Sequence, residues 1–359
     1  MGLIVIRPEQ EHEGRLERVL EQACYDTPAD EVIRSAAVLD EMLAAGCLKE
    51  KRILFALTTG SFGVNPGCMD MVRVMRKHPD GLENSVAGII VDGQEEWYTK
   101  ALAREVAFAA NTSGCWFVGR PLAEGTKSLY NYQVLAGKTG SSLYEAYLKE
   151  AGEVIGRVMS FERKCAPRPR LLTIHSCNPA TSNTYAAYKL MQNVLSECLA
   201  VREISLRDSM VFDCAGCAYE QCMYYSRDAK CYYGGTITEE IFPALEACDA
   251  LLLLCPNYND ALGAGLTAMI NRLTSLFRKR PFFDKALFAL VVSGYSGSDI
   301  ICRQLIDALN MNKSFLLPGH FCFTETAGAA GSILERPDIA ERTASFARHI
   351  AACITEGQA

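Results

Sequence analysis

Beyond residue 168 the chain alternates between short apolar runs and stretches whose apolar positions recur every three or four residues. Leu171 to His175 reads as a strand, and a polar loop joins it to a helix over about Thr184 to Leu199. Arg202 to Leu206 reads as a second strand. A cysteine-rich excursion comes next, then a helix over about Thr238 to Cys248. Ala250 to Cys255 is apolar throughout, the pattern of a central parallel strand buried on both faces. The pattern then predicts a helix at Gly265 to Arg278, a strand at Ala286 to Ser293 and a helix at Asp299 to Leu309. A strand at Ser314 to Pro318 and a helix at Ile339 to Ile354 complete it. Strands and helices alternating through short loops predict an α/β fold, a doubly wound parallel sheet.

The first half repeats this plan. Lys51 to Leu57 matches Asp249 to Cys255, Ser85 to Gly93 matches Lys285 to Gly294, and Cys115 to Gly119 matches Phe315 to Gly319, at a nearly constant offset. Three blocks in register point to an internal duplication, hence two tandem copies. The first copy is shorter between its first strand and its central strand, as though it lacks the second strand and the cysteine segment. Its first loop, Arg7-Pro8-Glu9-Gln10-Glu11-His12-Glu13, carries three carboxylates that would repel a phosphate. The expected organisation is a degenerate domain at 1–160 without a cofactor and a proline-rich, cationic linker at 161–170. A complete domain follows at 171–359, with a cysteine-rich insertion at 213–232.

Composition narrows the setting. Of 359 residues 49 % are hydrophobic and 22 % charged, as in globular domains, and the net charge of −6 offers no basic field for nucleic acid. No apolar run reaches the length of a membrane span, and the amino terminus lacks the basic start and cleavage site of a signal peptide. Sixteen cysteines without a secretion signal fit a reducing, cytoplasmic interior rather than a disulfide framework.

Candidate chemistry concentrates in two places. The loop Ser176-Cys177-Asn178-Pro179-Ala180-Thr181-Ser182-Asn183-Thr184 puts hydroxyls and amides between a strand and a helix start. Such a loop can cradle a phosphate on backbone N–H groups; the simpler reading is that Ser182 or Asn183 caps the helix. The second place is Cys214, Cys217, Cys222 and Cys231, four thiols in one short segment. They could ligate a [4Fe–4S] cluster or, less readily, zinc, or remain metal-free buried or redox thiols. The nearby Tyr219, Tyr224, Tyr225, Tyr232 and Tyr233 fit a packed excursion or a contact surface.

The loop from Ser176 to Thr184, the strand ending in Leu206-Arg207-Asp208, and the Cys214-x-x-Cys217 start occur in the order of a known family. So do the run Cys255-Pro256-Asn257-Tyr258-Asn259 and the helix holding Gly265-Leu266 and Met269-Ile270-Asn271-Arg272. The second half thus resembles the flavodoxin-like NAD(P)H-dependent FMN reductases and iron–sulfur flavoproteins. It differs in having Asn178 near the family's loop arginine, a loop one residue longer, and a wider third cysteine spacing. The resemblance implies that Ser176, Asn178, Ser182, Asn183 and Thr184 hold the FMN phosphate. Pro256, Asn257, Tyr258 and Asn259 would flank the isoalloxazine, and Ser293, Gly294, Tyr295 and Gly297 would wrap its other edge. No catalytic acid or nucleophile is then required, because the flavin carries the chemistry.

The expected activity is electron transfer from NAD(P)H through FMN to a quinone, a flavin or another small acceptor. Alternatives are an iron–sulfur flavoprotein delivering electrons to a redox protein, and a flavodoxin-fold binding or scaffold module without cofactor. The duplication implies a pseudo-dimer within one chain, or a homodimer, with Trp97, Tyr98 or Trp116 near the interface. His175 and His320, at equivalent strand ends, read as locally satisfied histidines.

Overall fold

In a computed structural model, the structure describes residues 2–8, 14–207 and 209–355. Glu9, Gln10, Glu11, His12 and Glu13 of the acidic loop, and Asp208, lie outside the described residues. The chain divides into two compact units, residues 1–162 with 317–320, and residues 163–316 with 321–359.

The first unit runs β1 (Leu3–Ile6), α1 (Arg15–Ala23), β2 (Ala29–Ile33), α2 (Ala36–Ala44), β3 (Arg52–Thr58) and α3 (Pro66–Lys77). It continues with β4 (Val86–Asp92), α4 (Thr99–Thr112), β5 (Trp116–Gly125), α5 (Gln133–Thr139) and α6 (Leu143–Met159). The second runs β6 (Arg170–His175), α7 (Asn183–Cys198), β7 (Ala200–Ser205), α8 (Tyr219–Ser226), α9 (Phe242–Ala247) and β8 (Ala250–Pro256). After these come α10 (Ala264–Lys279), β9 (Ala286–Ser293), α11 (Ser298–Leu305), β10 (Cys322–Thr326) and α12 (Ile339–Ile354).

Each unit holds a five-stranded sheet, ordered β2-β1-β3-β4-β5 in the first and β10-β9-β8-β6-β7 in the second. Every pairing is parallel. Read by sequence rank both orders are second, first, third, fourth, fifth, the flavodoxin-like doubly wound arrangement. Burial follows the sequence pattern: β4, β8 and β9 are buried at every residue, as central strands covered by helices on both faces must be.

The copies agree in detail. In the first, Val86 pairs with Trp116, the register slips, and pairing resumes at Ile89 with Leu122. In the second, Ala286 bridges Leu316 and pairing resumes at Ala289 with Cys322, each position 200 residues after its counterpart. The chain therefore consists of two tandem flavodoxin-like α/β domains, the first shortened.

Two expectations need correction. The first copy does not lack the second strand, because β2 pairs with β1. The shortening falls after that strand: 33 to 52 in the first copy spans what 205 to 250 spans in the second. Nor does Ser314 to Pro318 form the fifth strand. Phe315, Leu316 and Leu317 are buried, which accounts for their apolar character, but Leu316 makes only an isolated bridge. The backbone then turns through Pro318, Gly319 and a left-handed His320 (φ 53°) before β10 begins at Cys322. Trp116 is buried in β5 with its ring 5.8 Å from that of Phe161, and Trp97 and Tyr98 are exposed.

Candidate functional site

In the second unit all five strands end on the same side of the sheet, and the chain reverses its direction of winding between β6 and β8. Ligands of open α/β sheets bind beside such a crossover, at the carboxyl ends of the strands. Four loops meet there.

The first follows β6. His175 is buried; its Nδ1 accepts from the Cys177 backbone N–H at 3.2 Å, which leaves Nε2 as the donor to Glu203 Oε1 at 3.0 Å. That doubly bound ring anchors the loop start. Asn178 Oδ1 accepts from Ala180 N at 3.1 Å, and the Asn178 carbonyl accepts from Ser182 N at 2.9 Å, so the loop turns tightly on one residue. Ser182 caps α7, its Oγ accepting from Tyr185 N at 3.3 Å. The N–H groups of Asn183 and Thr184, at the first two helix positions, have no partner inside the helix and point out of its amino end, where an anion is favoured.

The second loop leaves β8. Asn259 (φ 54°) and Asp260 (φ 57°) both have positive φ, and Tyr258 and Ala261 exchange backbone hydrogen bonds at 3.3 and 3.1 Å, as in a type I′ turn. Asn and Asp tolerate that geometry better than other side chains. Gly263 and Gly265 then bring the start of α10 close to the first loop. A Cβ on Gly263 would sit 3.5 Å from Ser176 Oγ and 3.6 Å from the Tyr258 ring, and one on Gly265 3.5 Å from Ser176 Cβ.

The third loop leaves β9 and is tied to the second by one side chain. Asn257 Nδ2 donates to Asp260 Oδ1 (3.1 Å), Ser293 Oγ (3.1 Å) and the Ser296 carbonyl (2.9 Å). Gly297 must be glycine: its φ is 86°, and a Cβ would fall 2.1 Å from Asp260 Oδ1. Ser293 Oγ also pairs with Ser298 Oγ at 2.7 Å. Gly294 comes close to Gly328 of the fourth loop, while Tyr295 is 93 % exposed.

The fourth loop, Ala327 to Gly331 after β10, escaped the sequence reading because the strand before it was misplaced. Its run of small residues, Thr326-Ala327-Gly328-Ala329-Ala330-Gly331-Ser332, was the signal available. Asn183 locks it to α7, Nδ2 donating to the carbonyls of Ala327 (2.9 Å) and Ala329 (2.8 Å). The Asn183 amide is therefore committed to the protein, and only its backbone N–H is left for a ligand.

Ser176, Asn178, Ser182, Asn183 and Thr184 thus sit together, with Pro256, Asn257, Tyr258 and Asn259 beside them and Ser293, Gly294 and Gly297 across the gap. Asn257 Oδ1 is buried without a partner. An orphaned acceptor among converging, glycine-lined loops is what a bound donor-bearing ring would satisfy, so the residues fit FMN. Burial raises the Tyr258 hydroxyl and pushes the Cys177 thiol up to about 11, so both stay protonated near neutral pH.

The four cysteines do not fit a metal. Among the described residues no group of three or more His, Cys, Asp or Glu side chains is gathered closely enough to hold an ion. Cys214 is exposed, and Cys217, Cys222 and Cys231 are half-buried, with Cys222 on α8 and the other three before or after it. Spacing along the chain proposed a common centre; the fold does not bring the sulfurs to one. The aromatic residues around them pack on one another, Phe212 stacked on Tyr233 at 5.0 Å and Tyr232 edge-on to Tyr233 at 5.2 Å.

Residues 169–328 match the family described as NADPH-dependent FMN reductase. The carboxy-terminal half of the chain accordingly carries a domain of that family, one of NAD(P)H-dependent FMN oxidoreductases. Among curated proteins none matches the chain. Similar solved structures include an NADH:FMN oxidoreductase in its apo form, at 14 % identity over 53 % of this chain and 91 % of that one, with a TM-score of 0.38. The NAD(P)H:quinone oxidoreductase of Methanothermobacter marburgensis gives 14 %, 51 %, 98 % and 0.37. An FMN-dependent NADH-azoreductase of Bacillus anthracis, in complex with FMN, gives 12 %, 51 %, 99 % and 0.35. No helix among the described residues is long and apolar enough to cross a membrane.

Proposed function

We propose that the second unit binds FMN and passes electrons from NAD(P)H to a small acceptor such as a quinone, a flavin or an azo compound. The observation that carries this reading is the convergence of four interlocked loops on the carboxyl ends of β6, β8, β9 and β10, within a domain matching the FMN reductase family. When bound, FMN supplies hydride acceptance and one- or two-electron return. The protein's own residues bind and orient. The turn from Ser176 to Thr184 presents backbone N–H groups to the phosphate, with Ser176 and Ser182 as uncharged donors. Asn257 fixes the loops on both sides of the ring pocket, and Asn183 holds the fourth loop against them. Tyr258, protonated and part-exposed beside Gly263, offers an aromatic edge.

The first unit is read as a cofactor-free copy. There the protein fills the corresponding strand ends itself. Arg15, the first residue of α1, donates to Asp92 at the end of β4 and to the carbonyls of Thr126 and Lys127 after β5. Tyr147 packs against Gly125, where a Cβ would lie 2.7 Å from the ring. Among the described residues the iron–sulfur carrier reading has no gathered ligand set behind it.

Anaerobic mixing of the FMN-loaded protein with NADH or NADPH tests the proposal. Rapid bleaching of the visible flavin band supports it; a flavin that neither nucleotide reduces would refute it.

A further inference from the structure

At the opposite edge of the second sheet, where the strands begin, lies a cavity of about 540 Å³. Its size is that of small-molecule sites. It opens between the start of β6, the start of β7 and the ends of α7 and α9, about 20 Å along the strands from the flavin loops. Leu171, Leu199, Val201 and Ala244 give it apolar walls, and Arg168, Arg170 and Arg202 line it.

We infer that this cavity binds a monoanion with an apolar body, an aliphatic carboxylate in particular. No acidic side chain lines it. Asp249 holds one of the three arginines, its Oδ2 accepting from Arg170 N at 2.8 Å and lying 3.6 Å from its Nε. Arg168 and Arg202 make no ion pair among the described residues, so their charges are available to a ligand. The two oxygens of a carboxylate suit the fork of an arginine. The apolar walls then select against small hydrated anions, which gain nothing from them.

Calorimetric titration of the full-length, FMN-saturated protein with octanoate tests this, with octanol as the uncharged analogue. Octanoate should bind at least about tenfold more tightly than octanol, the equivalent of one charge-assisted hydrogen bond. Arg168→Ala with Arg202→Ala should remove that preference while leaving octanol binding and FMN content unchanged. Ala247→Phe, at an exposed position lining the cavity, should weaken both ligands. Absence of octanoate binding at millimolar concentration, equal affinity for octanol, or indifference to the double arginine substitution would each overturn the assignment.

Discussion

Arg15 Nε donates to Asp92 Oδ2 at 2.7 Å, joining the first residue of α1 to the last residue of β4. The corresponding first residue of α7 is Asn183, and it too reaches across to the loop after the fifth strand of its own unit. The two copies use one tether differently: a cation buried against a carboxylate in the first, a neutral amide in the second. Both Arg15 and Asp92 are largely buried, and burial raises the Asp92 carboxyl despite the arginine. Arg15→Ala should therefore cost about 2 kcal/mol, because the unpaired carboxylate can escape part of the penalty by protonating. Denaturant unfolding would measure this, and FMN content should stay at one per chain. A gain to two would mean that Arg15 alone keeps the first copy empty.

Asn183→Ala separates two roles for that residue. If its amide only locks the fourth loop, FMN and riboflavin should weaken together by a similar factor. Stability should drop by about 2 kcal/mol for the two orphaned carbonyls. Selective loss of FMN affinity would instead assign the side chain to the phosphate.

The glycines make a graded series. Gly297→Ala places a Cβ against Asp260 in a left-handed backbone and should cost about 1–2 kcal/mol and loosen flavin binding. Gly263→Ala and Gly265→Ala meet only ordinary contacts, the nearest at 3.5 Å, and should leave thermal stability nearly unchanged. Melting temperatures of the three variants, read with fluorescence-detected flavin retention, check the order.

Much of this arrangement was legible before the fold. The apolar run 250–255 read as a doubly covered strand, and the polar loop from Ser176 fell where it was expected, between β6 and α7. Three things were hidden. β2 has a half-exposed edge pattern, Ala29-Asp30-Glu31-Val32-Ile33, too polar to read as a strand. Phe315 to Leu317 is as apolar as a strand yet serves as a buried approach, whereas β10, Cys322-Phe323-Thr324-Glu325-Thr326, is mixed because it lies at the sheet edge. The cysteine spacing carried no information on whether the fold would gather the sulfurs at one point.

Buried thiols give the pH dependence its sign. Burial holds Cys177 and Cys248 at about 11 and Cys68 and Cys353 at about 12, above the ordinary 9.0. Below pH 9 the thiol is protonated in both states and the stabilising contribution is complete. From pH 9 toward 11 or 12 the unfolded chain releases protons that the fold retains. Stability should fall there, by on the order of 1.4 kcal/mol per pH unit for each fully buried thiol. Unfolding curves from pH 8 to 10.5 would record the decline, roughly. Iodoacetamide at pH 8, about one unit below the thiol range, should modify exposed Cys47 and Cys214 well before Cys177.

The most direct measurement compares FMN and riboflavin binding to the cofactor-stripped protein by quenching of flavin fluorescence. A turn that cradles phosphate requires one site per chain and FMN bound at least about tenfold more tightly than riboflavin. Equal affinity for the two, or no binding of FMN at micromolar concentration, would contradict it.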